Sequence, residues 1–296
     1  MAMSCKPTPS KSLSVSISPK NRAIIEQKTG IHYVDPGDLP SDLDLSQCKD
    51  LVDVSFLGLG KVKHLELKGC TGITDVSTLG AGGIETLDLT GCTSVVDVSA
   101  LGGIETLDLT ECVSVTDVSA LGGIRKLILE GCTGVVDVST LGGVYYLELV
   151  GCTSVTDVSA LGGVTWLNLS GCTSVVDVSA LGGVKILILK GCTGVVDISA
   201  LGVGEVEHLD LEGCTGVVDV SALGRVTYLN LEGCTGVVDV SALGTSTTLQ
   251  NLNLTDCIGI TDVSALGNII NLDLEGCTGV TDVSALGRVQ SLNLFF

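Results

Sequence analysis

Two consecutive segments decide the fold: residues 131–150 read GCTGVVDVSTLGGVYYLELV, and residues 151–170 read GCTSVTDVSALGGVTWLNLS. Their cysteine, aspartate, Leu-Gly-Gly and two closing leucines stand at the same offsets. The cysteine recurs along the chain at positions 48, 70, 92, 112, 132, 152, 172, 192, 214, 234, 257 and 277. Seven of these eleven intervals are 20 residues, three are 22 and one is 23. A repeat of this length predicts a solenoid in which each unit forms one coil.

Each unit contains a short L-x-L segment, such as residues 147–149, in which apolar and polar positions alternate. This alternation predicts a strand with both leucines turned inward. Thirteen such segments, from residues 43–45 to 292–294, predict one long parallel sheet of about 13 strands. The longer units gain their residues between the Leu-Gly pair and the next strand, as at residues 79–83. Loops are therefore expected along one edge of the stack.

The motif L-x-x-L-x-L-x-x-C resembles the leucine-rich repeat over about residues 41–296. The string at residues 70–75, CTGITD, looks like the cysteine-containing subclass, and Asp-Val-Ser-Ala-Leu-Gly is similar to the short far side of internalin-like repeats. The near-identical units also look like the repeat proteins of amoeba-infecting giant viruses of the marseillevirus type. The resemblance implies a leucine-rich-repeat solenoid, a right-handed superhelix with a 3₁₀ or extended far side. It implies protein binding on the concave sheet and no catalysis.

The chain is predicted to have three parts. Residues 1–17, rich in Ser, Pro and Lys, are expected to be a disordered basic tail. Residues 18–40 are expected to be a short N-terminal helix and cap, because Ser18-Pro19 is a helix start and Gly30 a helix stop. Residues 41–296 are expected to be the solenoid. The first residues contain no apolar run long enough for a signal peptide, so free thiols and a cytoplasmic location are expected. If the viral resemblance holds, that location is the host cytoplasm or the virion.

Composition disfavours several functions. The formal net charge of -19 disfavours nucleic-acid binding, which needs clustered Lys and Arg. The sequence contains no apolar stretch of about 18 residues, so it predicts no membrane-spanning helix. The three histidines and the regularly spaced glycines form no catalytic constellation or phosphate loop. The sequence therefore predicts a protein that is not an enzyme and that uses no cofactor and no metal.

Three columns of polar residues recur once per coil. The cysteine column, represented by Cys70, Cys92 and Cys132, is expected to be buried and structural, with zinc binding or redox sensing as the alternative. The aspartate column, represented by Asp75, Asp97 and Asp137, is expected to cap backbone N–H groups, with a calcium-binding edge as the alternative. The threonine that follows each cysteine is expected to hydrogen-bond its turn, although regular threonines can also match an ice lattice.

Apolar residues interrupt the polar outward positions of the middle strands, and these residues are predicted to bind a protein partner. They are Ile128, Tyr145, Tyr146, Trp166, Ile186, Ile188 and Tyr228. Basic residues fringe this set, and acids dominate on both flanks. Exposed aromatics with a charged rim are typical of a binding hot spot. The alternative is incidental packing between neighbouring strands.

Two functions therefore fit the sequence. The first is a protein-interaction module that binds a partner of unknown identity on the concave sheet. The second is a structural or scaffold component of a larger assembly, such as a virus particle, which acts through its ends and tail. The sequence stops in or just after a strand at Phe295 and Phe296, which predicts a homo-oligomer through the C-terminal edge.

Overall fold

The computed structural model describes residues 17–33 and 35–294, and it contains one sheet of thirteen parallel strands in sequential order. The strands are β1 (Asp42–Asp44), β2 (His64–Glu66), β3 (Thr86–Asp88), β4 (Thr106–Asp108), β5 (Lys126–Ile128), β6 (Tyr146–Glu148), β7 (Trp166–Asn168), β8 (Ile186–Ile188), β9 (His208–Asp210), β10 (Tyr228–Asn230), β11 (Asn251–Asn253), β12 (Asn271–Asp273) and β13 (Ser291–Asn293). The predicted 13-stranded parallel sheet is confirmed.

The far side of each coil is a short 3₁₀ segment, also as predicted. These segments are Pro36–Asp38, Leu57–Leu59, Leu79–Ala81, Ser99–Gly103, Ser119–Leu121, Leu141–Gly143, Ser159–Gly163, Ser179–Gly183, Ser199–Val203, Ser221–Leu223, Ser241–Thr245, Ser264–Asn268 and Ser284–Leu286. None is longer than five residues, because a 20-residue coil leaves no room for a longer helix. Among the described residues, no helix is both long and apolar enough to cross a bilayer.

Each strand is centred on the first leucine of its L-x-L segment, one residue earlier than the pattern suggests. In β6 the central residue is Leu147, which pairs with Leu167 of β7. The second leucine, Leu149, lies just beyond the strand, but its N–H still donates to the carbonyl of Asn168 in the next coil at 2.8 Å. The ladder between coils therefore continues past the strand into the turn.

The core is a stack of identical layers. In one coil the buried side chains are the two strand leucines, the cysteine, two far-side valines, the 3₁₀ leucine and the residue that leads into the next strand; in the middle coils each is at most 2% exposed. Because one layer is open on both sides, a coil buries its apolar surface only against its neighbours.

A thiol in each turn joins one coil to the preceding one. The Sγ of Cys152 donates to the carbonyl of Leu129 at 3.1 Å, and the same oxygen accepts the N–H of Cys132 at 3.0 Å. The pattern holds for every cysteine from Cys70 to Cys277 in the column, including Cys92 and Cys132. Burial raises the pKa of the Cys70 thiol to about 11 and that of Cys132 to about 12. The thiols therefore stay protonated and remain donors.

The aspartate column caps the start of the far side. The Oδ1 of Asp75 accepts the N–H of Ser77 at 2.9 Å, and Asp97 and Asp137 make the same bond to Ser99 and Ser139 at 2.9 Å. The remaining nine aspartates of the column repeat this contact. The hydroxyl and the N–H of the serine lower the pKa of each carboxyl from Asp75 to Asp282 along the column.

The prediction for the threonine column is wrong in its detail. Among the described residues, the hydroxyls of this column, such as that of Thr133, make no hydrogen bond to protein and face solvent. The turn instead uses the Thr133 carbonyl, which accepts the Ser154 hydroxyl of the next coil at 2.7 Å. In the four coils that carry a serine two residues after the cysteine, its hydroxyl therefore joins the turn to the preceding coil.

A helix, α1 (Pro19–Thr29), covers the first coil and confirms the predicted N-terminal helix. The side chain of Ser18 accepts the Asn21 N–H at 3.2 Å, and Gly30 ends the helix at φ 72°. Ile17 and Ile25 are fully buried, and the Asn21 carboxamide donates to the Asp53 carbonyl at 2.9 Å. The helix thus supplies the apolar cover that the first coil lacks. The rest of the predicted tail, residues 1–16, lies outside the described residues.

The turn before the cysteine needs a left-handed residue. Nine coils place glycine there, for example Gly151 at φ 68°, but Glu111 takes the position at φ 59°. A Cβ at Gly151 would meet no atom within 4 Å, so only backbone strain would oppose a side chain. That strain costs about 1–2 kcal/mol for an ordinary residue.

Two substitutions at this turn should shift stability in opposite directions. We expect Gly151→Ala to lower the free energy of unfolding by about 1 kcal/mol, because alanine resists the left-handed conformation. Glu111→Gly should raise it by a few tenths to about 1 kcal/mol, because it relieves the same strain. Urea unfolding followed by circular dichroism measures both. Equal midpoints for wild type and Gly151→Ala would contradict the strain argument.

Acid should weaken the stack through the aspartate column. A carboxyl whose pKa is lower in the folded than in the unfolded chain adds stability above the unfolded pKa of about 3.9, and this stability disappears as pH falls through the folded pKa. The melting temperature should therefore fall below about pH 4. The control is a triple variant, Asp137→Asn, Asp157→Asn and Asp177→Asn, which keeps the acceptor oxygens without their titration. Its acid loss should be smaller; an unchanged pH profile would show that the column plays no part.

Candidate protein-interaction site

Because the parallel strands pair in register, residues at the same offset in successive repeats form a row across the sheet. The residues that open β5 to β10 are cross-strand partners. We call these six residues the stacked row: Lys126, Tyr146, Trp166, Ile186, His208 and Tyr228. Their side chains alternate with buried leucines, so they lie on the outward face of the sheet, where each is partly exposed. The strand offset and the burial of the leucines thus fix this surface.

Aromatic rings stack face to face along this row. The ring centroids of Tyr146 and Trp166 are 4.0 Å apart with planes 7° from parallel, and those of His208 and Tyr228 are 4.0 Å apart at 8°. Strands lie about 4.8 Å apart, which brings flat rings at equal offsets close to contact distance. The Nζ of Lys126 lies 4.7 Å from the centre of the Tyr146 ring, where a cation is attracted to the π face.

Polar contacts hold Tyr146 in place. Its hydroxyl donates to the carboxylate of Glu148 on the same strand. Burial, together with this contact, raises the pKa of Tyr146 well above its usual range. The phenol therefore stays neutral and remains a donor, so the ring that stacks on Trp166 has a fixed orientation.

Tyr145, the residue before β6, lies at the margin of the row. Its side chain is 54% exposed, and the guanidinium of Arg125 lies 5.8 Å from its ring centre. Arg125 also pairs with Glu105 at 3.2 Å. Tyr145 is therefore the most solvent-accessible of the seven predicted contact residues.

Two of the three isoleucines of the predicted set lie in a second row. Ile128 and Ile188 close β5 and β8, and Glu148 and Asn168 stand between them in the pairing register. The predicted residues therefore do not form one continuous apolar cluster. They form a stacked row flanked by single isoleucines, with polar side chains between.

Two members of the stacked row, Lys126 and His208, are not among the seven residues predicted to bind a partner. His208 bridges Ile186 and Tyr228 in the row, and burial lowers its pKa, so the neutral ring predominates at pH 7. Lys126 is one of the basic residues that fringe the predicted set in the sequence, and the pairing register places it in the row itself. Both stand at the offset of Tyr146 and Trp166, one residue before the first strand leucine, so position in the repeat is the signal that finds them.

Charges around the row are partly paired. Lys190 contacts Glu212 at 2.8 Å, and this carboxylate raises the pKa of the lysine. Lys126 and Lys185 make no ion pair within residues 17–33 and 35–294. Two cations near the row are therefore not neutralised by a carboxylate of the described residues, and one of them, Lys126, lies over the Tyr146 ring. In the same described ranges, no three His, Cys, Asp or Glu side chains converge as a metal site would require.

Solved structures share this architecture. An internalin from Listeria monocytogenes is similar with a TM-score of 0.55 and 18% identity, over 92% of this chain and 93% of the internalin. A leucine-rich-repeat protein of Leptospira interrogans is similar with a TM-score of 0.53 and 15% identity, over 88% and 84%. The fold is a leucine-rich-repeat solenoid. No protein-family model and no curated protein matches the sequence.

Proposed function

We propose that this leucine-rich-repeat protein is a non-enzymatic interaction module, which binds a protein partner on the outward, concave face of its sheet. The stacked row carries the proposal. Its six side chains occupy consecutive coils on one face, and four of them are aromatic or imidazole rings in two stacked pairs. Ile128, Tyr145 and Ile188 extend the contact surface on either side of the row.

Rigidity is the physical reason for choosing this surface. Binding costs side-chain entropy, about 0.5–1.5 kcal/mol for each side chain that becomes fixed. Tyr146 and Trp166 are already fixed by their mutual stacking and by the hydroxyl bond to Glu148. Half-buried aromatic side chains that lose little freedom on binding are typical hot-spot residues.

Charge narrows the chemistry of the partner. Lys126, over the Tyr146 ring, and Lys185, one residue before β8, form no ion pair with a described residue, whereas Glu105, Asp108 and Glu232 lie on the flanks. We therefore propose a partner that presents apolar side chains with a carboxylate near the row and basic groups farther out. The free, buried thiols of the core suit a reducing compartment such as the cytoplasm.

A second candidate is a structural role in a larger assembly, including a virus particle as the marseillevirus resemblance implies. One observation favours it. Within the described residues β13 pairs only with β12, and Leu292 on this strand is 36% exposed. A second copy could extend the sheet there by strand addition. Phe295, Phe296 and residues 1–16, which the same idea invokes, lie outside the described residues.

Affinity capture with mass spectrometry tests the first proposal. The bait is the full chain, compared with a triple variant carrying Tyr146→Ala, Trp166→Ala and Ile186→Ala. These side chains lie outside the core, so circular dichroism should show an intact fold. We expect the partner to be lost with the variant, with at least a tenfold fall in affinity, because hot-spot truncations each cost about 2 kcal/mol or more.

A matched control removes three exposed apolar side chains from the far side instead. Val136, Val176 and Val196 are 57%, 59% and 59% exposed, and their triple alanine variant should capture the partner as wild type does. Equal loss in both variants would reject the row as the contact surface. Capture of the chain itself by both variants, with no other partner, would favour the structural role.

A further inference from the structure

We propose a second binding site on the sheet, a groove over β10 to β13 that takes a neutral saccharide. The groove has a volume of about 280 Å³, near the lower end of ligand pockets, and so fits a small ligand. Its walls and polar lining are Tyr228, Asn251, Asn253, Asn271, Asp273 and Asn293. Leu252 and Leu272, both 2% exposed, form its floor.

The groove forms because the side chains at the offset of the stacked row become shorter after Tyr228. After Tyr228 the row continues with Asn251, Asn271 and Ser291, which are much shorter than an aromatic ring. One face of Tyr228 is covered by His208 at 4.0 Å. Its other side borders the groove, where a flat apolar wall can pack against the C–H face of a sugar ring.

Carboxamides line the groove with both donors and acceptors. The Nδ2 of Asn271 donates to the Oδ1 of Asn251 at 2.6 Å, so that among the described residues the Asn251 Nδ2 is a free donor and the Asn271 Oδ1 a free acceptor. The Nδ2 of Asn293 donates to Asp273 at 3.1 Å. Sugar hydroxyls both donate and accept, so they match this alternation.

The remaining polar groups of the groove hold these amides in place. Asn253 is held at both ends of its amide: its Nδ2 donates to Glu232 at 3.2 Å, and its Oδ1 accepts the N–H and hydroxyl of Thr255. Asp273 accepts the Glu275 N–H at 2.9 Å as well as Asn293. The free amide atoms therefore belong to side chains whose orientation is already fixed, which lowers the entropic cost of binding.

Charge selects a neutral ligand. Among the described residues, Asp273 is the one charged side chain in the lining, and both of its oxygens are within 3.1 Å of the Asn293 amide. No described lysine or arginine lines the groove, so it offers no cation to pair with a phosphate, sulfate or uronic acid. An uncharged ligand with many hydroxyls and one apolar face satisfies the lining best.

Saturation-transfer NMR on the full chain tests this site. The probes are maltose, cellobiose, lactose and chitobiose, each at concentrations up to the order of 10 mM. We expect at least one disaccharide to bind with a dissociation constant on the order of 1 mM, as suits a small polar ligand in a shallow groove. The double variant Asn251→Ala, Asn271→Ala should weaken that binding by about tenfold or more, and Tyr228→Ala should do the same.

Trp166→Ala is the matched control, because Trp166 belongs to the stacked row but not to the groove; saccharide binding should be unchanged in this variant. Circular dichroism checks that each variant folds. If Tyr228→Ala does not fold, the double asparagine variant still tests the groove. Absence of binding for all four probes, or binding that survives both groove variants, would overturn the proposal. Since the asparagines play no part in the proposed protein contact, the two proposals can fail separately.

Discussion

The structure depends on one constraint, the hydrogen bond between coils at the second leucine of each L-x-L segment. Its carbonyl accepts the N–H of its own turn and the thiol of the following coil, as Leu129 does from Cys132 and Cys152. No coil can bury its leucines alone, so this contact and the strand ladder fix each coil on its neighbour in a single register. A thiol serves here because it is small enough for the core and, with its raised pKa, stays a donor.

The fixed register determines which side chains are neighbours on the outward face. Every offset of the repeat becomes a row across the sheet, so a change in one coil always lies beside the same offset of the adjacent coils. Rings at the offset of Tyr146 stack because their neighbours stand at the same height, and short amides at that offset, such as Asn251, open a groove. The two proposed sites therefore differ in chemistry but share one construction, and Tyr228 is the boundary between them.

The sequence predicted the fold well and the site only in part. The leucines, the buried cysteines and Ser18 with Gly30 at the helix ends follow from local pattern, because their roles are set within one coil or one helix. The offset of Lys126 and His208 in the repeat is visible in the sequence. The stacking of His208 on Tyr228 and the groove beyond Tyr228 are not, because they depend on the rotamers of side chains in neighbouring coils, which one coil does not determine. The predicted role of the threonine hydroxyls is wrong for the same reason, since the Ser154 hydroxyl of the next coil donates to the Thr133 carbonyl.

Site-specific photocrosslinking tests the central claim, that partners bind on the outward face of the sheet, most directly. A photoreactive phenylalanine analogue would replace Tyr145, which is 54% exposed at the margin of the stacked row, and in a second protein it would replace Val136, which is 57% exposed on the far side. We expect a crosslinked partner from position 145 and none from position 136. Crosslinks from position 136 alone, or equally from both, would contradict it.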